Sequence, residues 1–138
     1  MCFIIRSLLT KTKPLSFTGS TNKYTLIAII RHASFIPARG MALFPFILVK
    51  HPQDLADARL IRHEYIHIWQ QIELFIVPFY VLYLLNYLWN RLKGQQHEQA
   101  YYNICFEREA FLNDHNENYL RKRQLWDFRK YIMKKSSF

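Results

Sequence analysis

The chain has 138 residues, enough for one domain and too few for two of ordinary size. It is 51% hydrophobic and 17% aromatic with three glycines, which excludes a disordered or low-complexity polypeptide, and its two cysteines exclude a disulfide framework and suit a reducing compartment. Nineteen Lys and Arg against ten Asp and Glu give a net charge of +9, carried at both ends: no acidic residue precedes Asp54, and after position 120 only Asp127 opposes seven Lys and Arg. Such ends suit anionic lipid or nucleic acid, or simply keep the chain in solution.

Residues 1–36 are basic, contain Pro14 and Gly19, and lack a core pattern beyond a short amphipathic turn at 3–9 and a β-prone run at 24–30. They are expected to be a mobile lead-in, and the domain proper is expected over 37–138. The start has no charged n-region and Arg6 breaks its apolar run, so no signal peptide is expected and a cytoplasmic location is. Residues 41–49 form an apolar stretch of strand length, and Pro45 within it predicts a sheet edge, because proline cannot donate to the ladder.

After Pro52, Asp54 is placed to cap a helix through Ala58, Ile61, Tyr65, Ile68 and Ile72 at three- and four-residue spacing. Pro78 predicts its end and the start of a second helix over 78–91, closed by Gly94. A third helix is expected over 98–114 and a fourth, amphipathic and basic, over 118–134. Residues 74–89 carry no charge, but they are shorter than the ~20 residues of a spanning helix, and Pro78 and Asn86 interrupt them. They leave peripheral membrane contact open, with a buried hairpin helix as the plainer explanation. The whole predicts an α+β, mainly α domain.

The first of these helices contains His63-Glu64-Tyr65-Ile66-His67. Four-residue spacing puts the two imidazoles one above the other on one helix face, where they can share a zinc ion, with Glu64 beside them to activate water. Gln70 and Gln71 continue the helix with polar groups. Downstream, Glu107 and Glu109 are candidates for a third ligand. They point about 200° apart on a helix, so only one can face the metal. The face of Glu107 also carries Ala100, Asn103, Ala110 and Asp114, while that of Glu109 carries Tyr102, Cys105, Phe106 and Leu112. Because Ile104 and Phe111 flank Glu107, periodicity alone leaves this choice open.

His63-Glu64-x-x-His67 followed by Phe106-Glu107-Arg108-Glu109-Ala110 resembles the gluzincin branch of zinc metallopeptidases, and in particular small minigluzincin-type domains, over about residues 40–130. The resemblance implies a zincin-like fold, with a small sheet whose edge strand precedes an active-site helix and a Glu-bearing helix. It implies Zn2+ held by His63, His67 and Glu107, Glu64 as general base, and a peptide or protein substrate. Glu109 is then a support or ion-pair residue. Where membrane-peptidase gluzincins read Glu-x-x-Ala-Asp, this chain has Phe111 in place of the Asp that supports a metal-bound His; Asp114, one turn further, is placed to substitute. Candidates for stabilising an oxyanion are His97, His115, Tyr101 and Tyr102, among which spacing does not choose. The tyrosine and phenylalanine stripe through Phe75, Phe79, Tyr80, Tyr83 and Tyr87 reads as core.

Three functions of different classes follow: a zinc peptidase, a zinc-stabilised domain without turnover, and a basic membrane-surface or nucleic-acid binder in which the motif is incidental. The nucleic-acid form is the weakest, because the basic ends carry no recognisable reading motif.

Overall fold

A computed structural model of the protein describes residues 28–132. Three short strands, β1 (Ile29–His32), β2 (Gly40–Leu43) and β3 (Phe46–Val49), form one sheet in the order β1-β3-β2. The central strand β3 runs parallel to β1 and antiparallel to β2, with Ile47 opposite Ile30 and Ala42. Helices dominate the remainder: α1 (Ala58–Glu73), α2 (Val77–Leu92), α3 (His97–Tyr102), α4 (Cys105–Asn113) and α5 (Tyr119–Lys122), with 3-10 turns at Pro52–Ala56 and Asp127–Tyr131. The α+β, mainly α class read from the sequence is the class observed.

Residues 41–49 are a hairpin and not one edge strand. Pro45 follows a cis peptide bond in the turn between β2 and β3, where no ladder donor is needed. The stretch therefore contributes the sheet's centre, with Ile47 and Val49 fully buried, and one of its edges, β2. The expected lead-in divides as well. Residues 1–27, including the turn at 3–9, lie outside the described residues, whereas β1 is joined to β3 and Ala33 donates to the Val49 carbonyl at 2.9 Å. Ile36 is buried beside them, so residues 28–36 belong to the domain.

Asp57, and not Asp54, caps α1. Its carboxylate accepts from the Arg59 and Leu60 amides at 3.1 Å, which satisfies donors that the first helical turn leaves unpaired. Asp54 instead accepts from Arg39 at 2.8 Å. One side of α1 packs Ile61 and Ile68 on Ala42, Ile47 and Val49 of the sheet. A second cluster joins Leu74 and Phe79 to Ile104, Phe106, Phe128 and Tyr131.

Between α1 and α2 the chain turns by 112°. Phe75 and Ile76 both have positive φ, 57° and 59°, and the Val77 amide bonds the Phe75 carbonyl at 2.6 Å, a strained three-residue turn centred on a β-branched residue. Pro78 follows within the first helical turn, where its missing N–H costs nothing.

The helix expected over 98–114 is broken at Asn103 and Ile104. Ile104 is extended, and the amide of Cys105 at the start of α4 finds its acceptor on α2, the Asn86 side chain, at 2.8 Å. The helix expected over 118–134 shrinks to α5 and the second 3-10 turn; residues 133–138 lie outside the described residues. Arg123 leaves α5 in an extended conformation and turns inward to Glu73 and Glu109, an ion-pair demand that a continuous amphipathic helix could not meet.

Candidate metal centre

His63 and His67 are one turn apart on the side of α1 that faces α4, and α4 presents Glu107 to both. His67 Nε2 lies 3.2 Å from His63 Nε2, and the two Glu107 carboxylate oxygens lie 3.4 Å from His63 Nε2 and from His67 Nε2. All three residues are buried, and Glu107 Oε2 has no hydrogen-bond partner.

The tautomers follow from the outer contacts. Gln70 donates its amide N–H to Glu109 at 3.0 Å and to the Phe106 carbonyl at 3.2 Å, so its oxygen, 2.8 Å from His67 Nδ1, must accept from that nitrogen. His63 Nδ1 faces Asp114 Oδ2 at 3.5 Å, and Arg59 holds the other Asp114 oxygen at 2.8 Å. Both Nδ1 atoms thus carry the proton, and both Nε2 lone pairs point at each other and at a carboxylate. Three acceptors converging in a buried site repel unless a cation sits among them. Ligand atoms about 2.0 to 2.1 Å from a tetrahedral ion stand about 3.3 Å from one another, so the separations fit zinc, and two imidazoles with a carboxylate are a donor set zinc favours.

Without a metal a proton takes this role. Burial lowers the His67 imidazole, but the charge and close approach of Glu107 outweigh it and raise the group to about 9. Burial would raise Glu107, and the His67 charge together with both imidazoles instead holds it far below the carboxylate range.

Glu64, buried beside this trio, has its carboxyl raised by burial against the opposing pull of His67 and His63. It lies against the edge strand, where a Cβ on Gly40 would come within 2.5 Å of Glu64 Oε1. The absent side chain of Gly40 is what lets this carboxylate lie against β2.

Of the two acidic residues that the sequence left competing on α4, Glu107 faces the histidines. Glu109 is fully buried elsewhere, accepting from Gln70 and Tyr119 and paired with Arg123, which also binds Glu73. Asp114 reaches His63 from the end of α4, and Phe111 packs edge-on against the His63 ring with centroids 4.5 Å apart.

Tyr101 lies near Glu107 and Tyr83, whereas His97 is paired with the Tyr87 hydroxyl at 2.8 Å, Tyr102 packs on Tyr101 and Phe111, and His115 is exposed. Sequence reasoning missed Tyr83, whose hydroxyl donates to Glu107 at 2.7 Å, and Phe79, which packs near His67. Both sit in the aromatic stripe read as core, and helical spacing looks the same for a core residue and a site wall. Gln70 carried a signal, being polar three residues after His67 on a buried face.

The outer edge of β2 is partly closed. Gln71 donates to the Ala42 carbonyl at 2.9 Å and accepts from the Phe44 amide at 2.9 Å, and the Tyr80 hydroxyl adds a 3.2 Å bond to the same carbonyl. Two backbone groups at this edge, the Ala42 carbonyl and the Phe44 amide, are therefore satisfied from within and closed to pairing with any further strand.

Comparison of the chain with protein families, with characterised proteins and with solved structures finds no match.

Proposed function

We propose that the protein is a zinc-dependent peptide hydrolase of zincin-like design, with Zn2+ held by His63, His67 and Glu107. The observation that carries this reading is the buried convergence of two imidazole lone pairs and a carboxylate at 3.2 to 3.4 Å, with Glu64 beside it. A zinc ion bound there would bring the pKa of a water toward 7 and polarise a substrate carbonyl. Glu64 receives the proton of the attacking water and passes it to the leaving amine nitrogen; a carboxyl raised by burial suits both halves of that transfer near neutral pH. Gln70 and Asp114 hold the imidazoles in their ligating tautomer. Among the four oxyanion candidates Tyr101 is favoured, because it lies near Glu107.

Glu64→Gln should keep stoichiometric zinc by elemental analysis and lose cleavage of a mixed peptide library, and His63→Ala should lose the zinc itself. Cleavage that survives Glu64→Gln would overturn the mechanism.

A second reading, a zinc-stabilised domain without turnover, draws support from the Gln71 contacts that occupy Ala42 and Phe44, and from Phe111 at the place of the usual Asp. It expects full zinc occupancy and no cleavage in the wild type or in Gln71→Ala.

A further inference from the structure

The inner side of α2 serves the domain: Phe79 is buried and packs near His67, Tyr83 holds Glu107, Asn86 receives the Cys105 amide and Asn90 donates to the Ala100 carbonyl. The opposite side is apolar, and none of the described residues covers it. Val77, Val81, Leu84, Leu85, Leu88 and Leu92 recur at three- and four-residue spacing, and their exposure runs from 45% at Leu88 to 81% at Leu92. A helix apolar on both faces ordinarily has both faces covered, and a continuous exposed stripe of this kind marks an interaction surface. The stripe continues into an open apolar groove of about 790 Å3 between α2 and the C-terminal segment, where Leu82, Leu85 and Trp89 face Trp126, Phe128 and Ile132.

The charges around this surface select the occupant. No acidic residue lies between Glu73 and Glu98, while Arg91 and Lys93 are exposed at the end of α2. Lys93 Nζ stands 5.2 Å over the Trp89 ring, Arg129 lines the groove, and Asp127 nearby is paired with Lys130 at 2.6 Å. A second copy with α2 parallel would bring the same cations against their twins, and in an antiparallel seat residues 74–97 offer those cations no carboxylate. Residues 1–27 carry four basic and no acidic residues, so they would meet the same repulsion. An anionic bilayer offers apolar depth to the leucines and phosphate or carboxylate to the rim, with Trp89 and Trp126 suited to the headgroup level. Among the described residues no single helix is long and apolar enough to cross a membrane. The 16 residues of α2 span about 24 Å, short of the ~30 Å of hydrocarbon, so the helix would lie in the plane of the interface.

We propose that the outward face of α2, together with its groove against residues 126–132, seats on the surface of an anionic lipid bilayer. This is independent of whether the metal centre is catalytic.

The test is co-sedimentation of the full chain with phosphatidylcholine vesicles and with vesicles that also contain phosphatidylserine. The anionic vesicles should bind at least about tenfold more tightly, with the difference shrinking as salt is raised. Leu84→Glu with Leu88→Glu should weaken binding to both vesicles by at least about tenfold, at positions exposed enough to leave the circular dichroism and thermal midpoint unchanged. Lys93→Gln and Arg129→Gln should each cost about fivefold on anionic vesicles only. The proposal is overturned if the wild type binds neither vesicle, if binding survives the paired Glu substitutions, or if those substitutions instead dissolve a dimer seen by light scattering.

Discussion

Gln70 shows how one side chain fixes the chemistry of another. With its amide N–H groups committed to Glu109 and the Phe106 carbonyl, only its oxygen is left for His67, and the imidazole is forced to offer Nε2 to the site. Glu107 then raises His67 to about 9 against the lowering effect of burial. Since the folded value lies above the ordinary 6.5, the bound proton stabilises the metal-free fold fully below that pH, and the contribution is lost as pH rises through about 9. Zinc and this proton compete for one lone pair. Calorimetry near neutral pH, in buffers of different ionisation heat, should therefore show about one proton released per zinc, with affinity rising up to about tenfold per pH unit toward 9. Zinc uptake with no proton release would mean that His67 is neutral before the metal arrives. At this scale the sequence was legible where the helix repeat dictates geometry, as for His63, Glu64 and His67. Tyr83 was not, because nothing in its spacing separates a hydroxyl aimed at Glu107 from one that merely lies at the edge of a core.

The helix α4 carries two buried carboxylates with opposite duties. Glu107 faces α1 and the histidines. Glu109, two residues on, faces the C-terminal segment and closes an ion-pair group with Arg123 and Glu73, in which the Arg123 side chain is only 4% exposed. Removing one member of a buried pair leaves a charge without compensation, a cost of about 3 kcal/mol where a second carboxylate remains. Glu109→Gln should accordingly lower unfolding stability by about that amount in a denaturant titration, while zinc affinity stays within about tenfold of wild type. Glu107→Gln should do the reverse, weakening zinc far more than stability. The opposite order would exchange the roles of the two residues. Helix existence was readable for α1 and α2 from periodicity and from Pro78, but the breaks were not. Arg123 abandons its helix for partners fifty and fourteen residues away in sequence, and Asn86 starts α4 from another helix, so both boundaries are set by tertiary contacts that no local pattern records.

Across the whole molecule, the candidate metal centre depends on a sheet that supplies none of its three residues. The sheet carries α1 on Ile47 and Val49, and through α1 it sets where His63 and His67 stand relative to α4. Its topology was hidden in the sequence. Residues 24–30 and 41–49 read as successive strands, yet the second run folds into a hairpin whose later arm, β3, returns beside β1 in parallel and pushes β2 to the edge. Pro45 was read as marking an edge strand and instead lies in a turn, because which backbone groups need a ladder partner depends on pairing at a distance. This arrangement makes residues 28–36 part of what supports the site. Deleting residues 1–36 removes β1, Ala33 and Ile36, leaves one edge of β3 without hydrogen-bond partners, and opens Ile47 and Val49, both fully buried, to water. Deleting only residues 1–27 keeps every one of these contacts. Thermal unfolding of the two truncated proteins should therefore differ, the longer deletion losing several kcal/mol or its cooperative transition altogether, with weaker zinc binding as α1 loses its support. If both truncations unfold with the same midpoint and bind zinc equally, β1 bears none of the load assigned to it, and α1 must be held by its contacts with α4 alone.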